Sequence, residues 1–381
     1  MADRCYIYLI PGFFGFADLG GITYFHHVRE MLEERCALYG MKPEVHYVST
    51  VPTGSIRMRA AQLYHEVAAT ATEPDWPIHL IGHSTGGLDA RLFVSPNVSL
   101  LKTIEAEELA ARVKTVVSVS TPHLGTPLAF FFNSLLGQKL LYLISLATIY
   151  ALRFGKFPLS TVFSLIGIIT KLDDHLGWKD NIVDQFYENL FSDLSGERMV
   201  AVGEFLESIR SDQALLGQLT PGGIDLLNAA VQDRPGTRYG CVVTQARKPE
   251  LGSLKDIGLE PYKLASHTIY RFLYWLTSFV PSYPDITEEQ RAFLRHAYGS
   301  VPDCDVSDGV VPTWSQFHGE LIRAMWADHL DVCGHFSEPG HNPPHIDWLS
   351  SGTGFSRSDF EGLWSDVVAF MMRDREDTAV A

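Results

Sequence analysis

Along the first third of the chain, short apolar runs that stop at glycine, proline or serine alternate with longer stretches rich in helix formers. Tyr6 to Ile10 is β-branched and aromatic and ends at Pro11-Gly12, and Tyr24 to Leu38 follows as a helix. The pair recurs with Glu44 to Thr50 before Ile56 to Ala71, with Ile78 to Ile81 before Thr85 to Val94, and with Val113 to Val119 before Thr121-Pro122. Strands alternating with helices predict an α/β architecture, a mostly parallel sheet with helices on both faces.

Beyond Pro127 the pattern changes. The stretch from Leu128 to Leu172 is nearly devoid of charge, whereas its flanks are not. Its uninterrupted part, Leu140 to Leu152, would span about 20 Å as a helix, against roughly 30 Å for a bilayer core. No transmembrane span is expected, and the segment fits a buried helix or a lid. A more polar helical region runs from Ile182 to Ala230, a strand from Arg238 to Ala246, and an aromatic-rich helix from Tyr262 to Val280. Loops and turns fill Asp303 to Pro312, and Pro339 to Pro344 reads as a proline-rich surface stretch. The chain divides into an N-terminal core part, 1–127, a helical insertion, 128–230, and a C-terminal core part, 231–381.

Composition narrows the partners. With 381 residues, 46% of them hydrophobic, the chain can bury a sizeable core. A net charge of -15 offers no basic patch to neutralise phosphates, so a nucleic-acid partner is not expected. Cys5, Cys36, Cys241, Cys304 and Cys333 lack C-x-x-C spacing, which favours reduced thiols over zinc or a disulfide framework. The start MADRCYIYLI has no basic, then apolar, then small-residue signal pattern. A cytoplasmic location is the expectation, with a secreted mature form left open.

The stretch LIGHSTGG carries the G-x-S-x-G pattern around Ser84, a short signal that gains weight from its place. It lies where a strand meets a helix, the setting in which a strained turn presents a nucleophilic serine. A serine hydroxyl is a weak nucleophile and needs a base, with an acid holding that base in the right tautomer. In such folds the order is serine, acid, histidine, and the chain offers Asp308 in VSDGVVP and then His329 in ADHLD. As a residue, Asp308 reads equally as a turn carboxylate, and His329 competes with His335, His341 and His345.

Taken together, LIPGFFGF, LIGHSTGG, STPHLGTP and SDGVVP followed by DHLD resemble the bacterial triacylglycerol lipases of the α/β-hydrolase fold, over roughly residues 6 to 127 and 300 to 335. The resemblance implies Ser84 as nucleophile, Asp308 as acid, His329 as base, and backbone amides of Phe13 and Thr85 as the oxyanion hole. Pro11 stands where the family usually has His. Arg59 resembles the family's brace of the oxyanion loop, although by itself it reads equally as a solvated helix residue. The segment after STPHLGTP corresponds to the family's lid.

The family's calcium site would take Asp331, with Asp285 a loose second candidate and His335 where the family has Gln. That imidazole is a poor ligand for a hard cation, so no metal and no other cofactor is expected to be required. The reading is a serine carboxylic-ester hydrolase, a lipase or esterase acting on an ester or lipid substrate through an acyl-enzyme. A polyester depolymerase or acyltransferase would use the same elbow, and a non-catalytic membrane-surface or partner-binding protein is the rival of another class.

Overall fold

The computed structural model describes residues 3–17, 23–96, 98, 104–134, 137–138, 140–142, 144–145, 197–249, 260–279, 283–338 and 347–379. Among these, six strands form one sheet: β1 (Asp3–Ile10), β2 (Met41–Tyr47), β3 (Ile78–His83), β4 (Val113–Val119), β5 (Arg238–Gln245) and β6 (Glu320–Trp326). Every pairing is parallel, in the order β2-β1-β3-β4-β5-β6. All six residues of β3 are buried, as a central parallel strand covered on both faces requires. β2 begins three residues before the sequence pattern suggests and includes Pro43. A residue without an N–H is tolerated there because β2 is an edge strand.

Helices cover both faces. Toward one, α1 (Val28–Ala37) and the C-terminal helix α11 (Arg357–Ala379) bury Val28, Leu32, Phe360, Trp364 and Val367 against alternate residues of the sheet, Ile7, Leu9 and Val117 among them. Toward the other, α2 (Ile56–Thr70) and α3 (Thr85–Val94) bury Leu63, Val67, Ala90 and Val94 against Tyr6, Tyr8 and Leu80. Neighbouring residues of β1 thus serve opposite cores, the period-two signature of a strand. The fold is that of an α/β hydrolase.

The remaining helices are α4 (Ile104–Ala111), α5 (Leu128–Phe132), α6 (Glu197–Ser211), α7 (Ala214–Gln218), α8 (Pro221–Ala230), α9 (Pro261–Thr277) and α10 (Glu288–Tyr298). Of the apolar insertion, α5 and a few following residues are described. Leu140, Leu141 and Ile144 are buried in one cluster with Phe205, Leu206 and Ile209 of α6 and Leu273 of α9. Leu143, residues 146–196 and the proline-rich 339–346 lie outside the described residues. No described helix is long and apolar enough to cross a membrane.

Candidate active site

The turn between β3 and α3 places Ser84 at φ 53°, ψ −127°, a left-handed conformation that a side chain rarely adopts. Crowding explains the small neighbours. A Cβ on Gly86 would lie 2.3 Å from the Ile10 carbonyl oxygen, so only glycine lets α3 start this close to β1. Ser84 is buried and lines an open apolar cleft of about 820 Å³ together with Phe13, Thr85, Leu141, Ile144 and His329.

The candidate acid and base, Asp308 and His329, come from loops beyond β5 and β6. His329 Nδ1 lies 2.8 Å from Asp308 Oδ2, and the His329 amide donates to the Asp308 carbonyl at 3.0 Å. A carboxylate only accepts, so Nδ1 carries the proton and Nε2 is left bare, the tautomer a general base needs. Asp308 is fully buried, and its charge is met by further donors. Oδ1 accepts from the amides of Val310 (2.9 Å) and Val311 (2.7 Å), and Oδ2 accepts from Thr244 Oγ1 (3.0 Å) and Gln316 Nε2 (3.5 Å). The Asp-Gly turn and the contact with His329 therefore use the same carboxylate: Oδ1 closes the turn while Oδ2 faces the imidazole.

Of the competing histidines, His335 is buried with Nε2 donating to the Tyr24 carbonyl at 2.8 Å, and His341 and His345 lie outside the described residues. His123, in STPHLGTP, is also buried, and burial next to Arg91 pushes its pKa well down. Its ring is held between Arg91 and Ser118.

The loop after β1 is held from two sides. Arg59 is fully buried; its Nη2 donates to the carbonyls of Pro11 (2.8 Å) and Gly12 (3.0 Å), and its Nε to Asp89 Oδ2 (2.9 Å). Burial raises Asp89 to about 6 despite the guanidinium. Arg59 is thus a brace and not a solvated residue. A trans peptide points its N–H opposite to its C=O, so fixing the Gly12 carbonyl on Arg59 turns the Phe13 N–H away from it. On the other side, the Gly12 amide donates to Tyr24 Oη at 2.9 Å, and a Cβ on Gly12 would lie 2.6 Å from that oxygen and 2.7 Å from Ser84 Cβ. Thr85 begins α3, where an amide has no partner within the helix.

A second group of carboxylates includes the residues one before and two after His329. Among the described residues, Asp328, Asp331 and Asp347 bring ligand oxygens within 4.8 Å of one another. Asp328 Oδ1 accepts from the amides of Leu330 and Asp331, Asp328 Oδ2 from Ser351, and Asp331 Oδ2 from Asp328 N and Thr353. Asp347 Oδ1 is buried with no hydrogen-bond partner. Burial lifts the Asp328 carboxyl to about 7, and burial with the neighbouring acids lifts Asp331 and Asp347 well above the usual carboxylate range. Hard oxygen donors and an orphaned carboxylate oxygen suit a cation such as calcium. Asp331 belongs to this group as the sequence suggests. Asp285 is exposed and paired with Arg291, and His335 is engaged with Tyr24, so neither completes it.

The sequence reading missed Tyr24, His83, Thr244, Gln316, Asp328 and Asp347. Asp328 sits beside the candidate base, and Thr244 near the carboxyl end of a strand, a position from which a side chain reaches the sheet edge. His83 lies within the elbow motif directly before Ser84, whereas Tyr24, Gln316 and Asp347 carry no local signal.

No model of a known protein family matches the sequence, and no curated protein matches it. Solved structures do. The fold is similar to that of EstA from Clostridium botulinum, with 19% identity and a TM-score of 0.52 over 97% of this chain and 87% of that one. It is similar to Staphylococcus hyicus lipase, with 16% identity and a TM-score of 0.53 over 100% and 98% of the two chains. For lipase 1 from Pelosinus fermentans the values are 17% and 0.51, over 97% and 99%. At these identities the likeness is one of fold: the chain has the architecture of bacterial lipases and esterases.

Proposed function

We propose that the protein is a serine carboxylic-ester hydrolase of the lipase or esterase type, with Ser84 as nucleophile, His329 as base and Asp308 as acid. The observation that carries the reading is the tautomer: Asp308 accepts a hydrogen bond from the Nδ1–H of a histidine whose ring lines the same cleft as a strained elbow serine. His329 Nε2 removes the serine proton as Oγ attacks the ester carbonyl, and the amides of Phe13 and Thr85 receive the developing oxyanion. The imidazolium, stabilised by Asp308, protonates the leaving alcohol. Water then attacks the acyl-enzyme by the same route in reverse.

The wall of the cleft supports acyl esters as substrates. Phe132, Leu141, Ile144, Leu216, Leu219 and Leu273 give an acyl chain an apolar path, and no lysine, arginine, aspartate or glutamate is among the described residues that line it. Burial of each methylene along such a wall contributes about 0.8 kcal/mol. The chemistry needs no metal, because nucleophile, base and oxyanion donors all belong to the chain. A calcium ion held by Asp328, Asp331 and Asp347 would stiffen the loop that carries His329.

An active-serine phosphonate tests the reading. It should label the wild type at Ser84 and leave Ser84→Ala unlabelled, and turnover of p-nitrophenyl esters should be lost with it and rise from short to medium or long acyl chains. Full hydrolysis by Ser84→Ala would sink the proposal, and a flat chain-length profile would remove the acyl path from it.

A further inference from the structure

A chain of hydrogen bonds that the mechanism above does not use runs behind the nucleophile. The Gly12 amide meets Tyr24 Oη at 2.9 Å, Tyr24 Oη meets His83 Nδ1 at 2.7 Å, and His83 Nε2 meets the carbonyl oxygen of His329 at 2.8 Å. All of these groups are buried. The chain therefore joins the oxyanion loop to the loop of the base, through the residue that precedes Ser84.

Its proton directions are determined at both ends. A peptide amide can only donate and a carbonyl can only accept. His83 Nε2 must therefore carry a hydrogen toward His329. Burial, reinforced by the nearby His329, holds the imidazole neutral, so Nδ1 is bare and accepts from Tyr24. The Tyr24 hydroxyl gives its single hydrogen to His83 and accepts from Gly12. Each group has the one role left to it, and none can reverse without placing two donors or two acceptors face to face. Such a determinate buried network holds its ends at a fixed separation.

The ends are the two parts whose relative position decides the rate. Arg59 grips the carbonyl of Gly12 and Tyr24 grips its amide, so both peptide planes flanking Gly12 are fixed, and the second of these carries the Phe13 amide. His83 fixes the carbonyl of the residue whose ring serves as base. We infer that Tyr24 and His83 are positioning residues that lock the oxyanion loop and the base loop to each other across the strand that delivers Ser84. The inference rests on the ester-hydrolase reading. Neither side chain exchanges a proton with substrate; each acts through the backbone it holds.

Tyr24→Phe removes one oxygen and keeps the ring that lines the cleft. It should lower kcat about 10- to 100-fold while KM stays within about threefold, because an acyl chain still finds its wall but the Phe13 amide is no longer aimed. Phosphonate labelling should slow in parallel, and the affinity for a fatty-acid product should hold. His83→Leu should lose as much as Tyr24→Phe. The double variant should lose no more than either alone, since one cut already breaks the chain. His83→Gln, whose amide can donate to His329 and accept from Tyr24, should recover most of the rate.

A kcat within twofold of wild type in Tyr24→Phe would overturn the inference. So would multiplicative losses in the double variant, or equal losses in His83→Gln and His83→Leu. Should His83→Leu fail to fold, Tyr24→Phe with its labelling rate decides alone. Ser84→Ala separates the two levels: activity surviving there defeats the hydrolase reading itself, whereas an inactive Ser84→Ala beside an unimpaired Tyr24→Phe defeats the positioning role only.

Discussion

Two sets of buried carboxylates lie next to each other at the base loop and are held in opposite ways. Asp308 is surrounded by donors: two amides, a hydroxyl, a side-chain amide and the imidazole of His329. Asp328 and Asp331 also accept hydrogen bonds, but the three acids crowd one another and Asp347 Oδ1 is left without a partner; burial and mutual repulsion push their pKa values up, with Lys263 a weaker opposing influence on Asp347. Burial alone therefore does not decide what a carboxylate can do. Donors fixed in place make Asp308 a ready counter-charge for an imidazolium, while crowded acids leave a deficit that only a proton or a cation can fill.

The sharpest way to break this contrast is to make each set neutral in turn. Asp308→Asn keeps the shape but offers a donor or a weak acceptor to His329 Nδ1, allowing the tautomer with the proton on Nε2. Activity should fall by roughly 10³–10⁴. Asp331→Asn should leave kcat within about threefold and alter thermal stability instead. Comparable losses of kcat in both variants, at equal folded fraction, would erase the distinction. Within the first set, Thr244→Val removes one donor to Oδ2 and leaves four, so a loss of about 10-fold is expected, measured as kcat at saturating ester. A loss as large as that of Asp308→Asn would mean that Thr244 orients the acid alone.

The sequence was most legible where chemistry and local geometry coincide. Val113–Val119 and Thr85–Val94 were read at their observed limits, because a buried parallel strand and an elbow helix both write their periods into consecutive residues. Ser84, Asp308 and His329 were singled out through motif and chain order, and Asp308 and His329 are in contact in the structure. β6 was passed over: it is an edge strand, largely half-buried, and its arginine and glutamate blur the alternation. α10 was legible and missed, since Thr287 and Gln290 form a capping box and Gly299 ends the helix in a left-handed turn. The ties that tune the site were beyond reach. Tyr24, His83 and Gly12 are separated in sequence by up to 71 positions, and Asp347 joins Asp328 only through the path of the chain. Such contacts have no period and no local spacing.

The smallest expected effect concerns the second set and is one of stability. Carboxyls raised by burial bind protons in the folded state that the unfolded chain has already released. Their contribution is fully present below the unfolded value of about 3.9 and is lost as pH rises through the folded values, about 7 for Asp328 and also elevated for its two partners. In a chelator, the Tm should therefore fall between about pH 5 and about pH 8. Calcium competes with those protons, so the increment it adds should be small at the acid end and grow with pH. At a concentration a hundred times its Kd the ion contributes about 2.7 kcal/mol, a shift of roughly 3 °C in a chain of this size. Asp347→Asn, which removes the charge of the carboxyl with the orphaned oxygen, should shrink both the pH slope and the calcium increment while leaving kcat at a temperature well below Tm nearly unchanged. If calcium instead raised kcat with no change in Tm, the cluster would have to act on the base directly, and the two sets of carboxylates would be one functional unit.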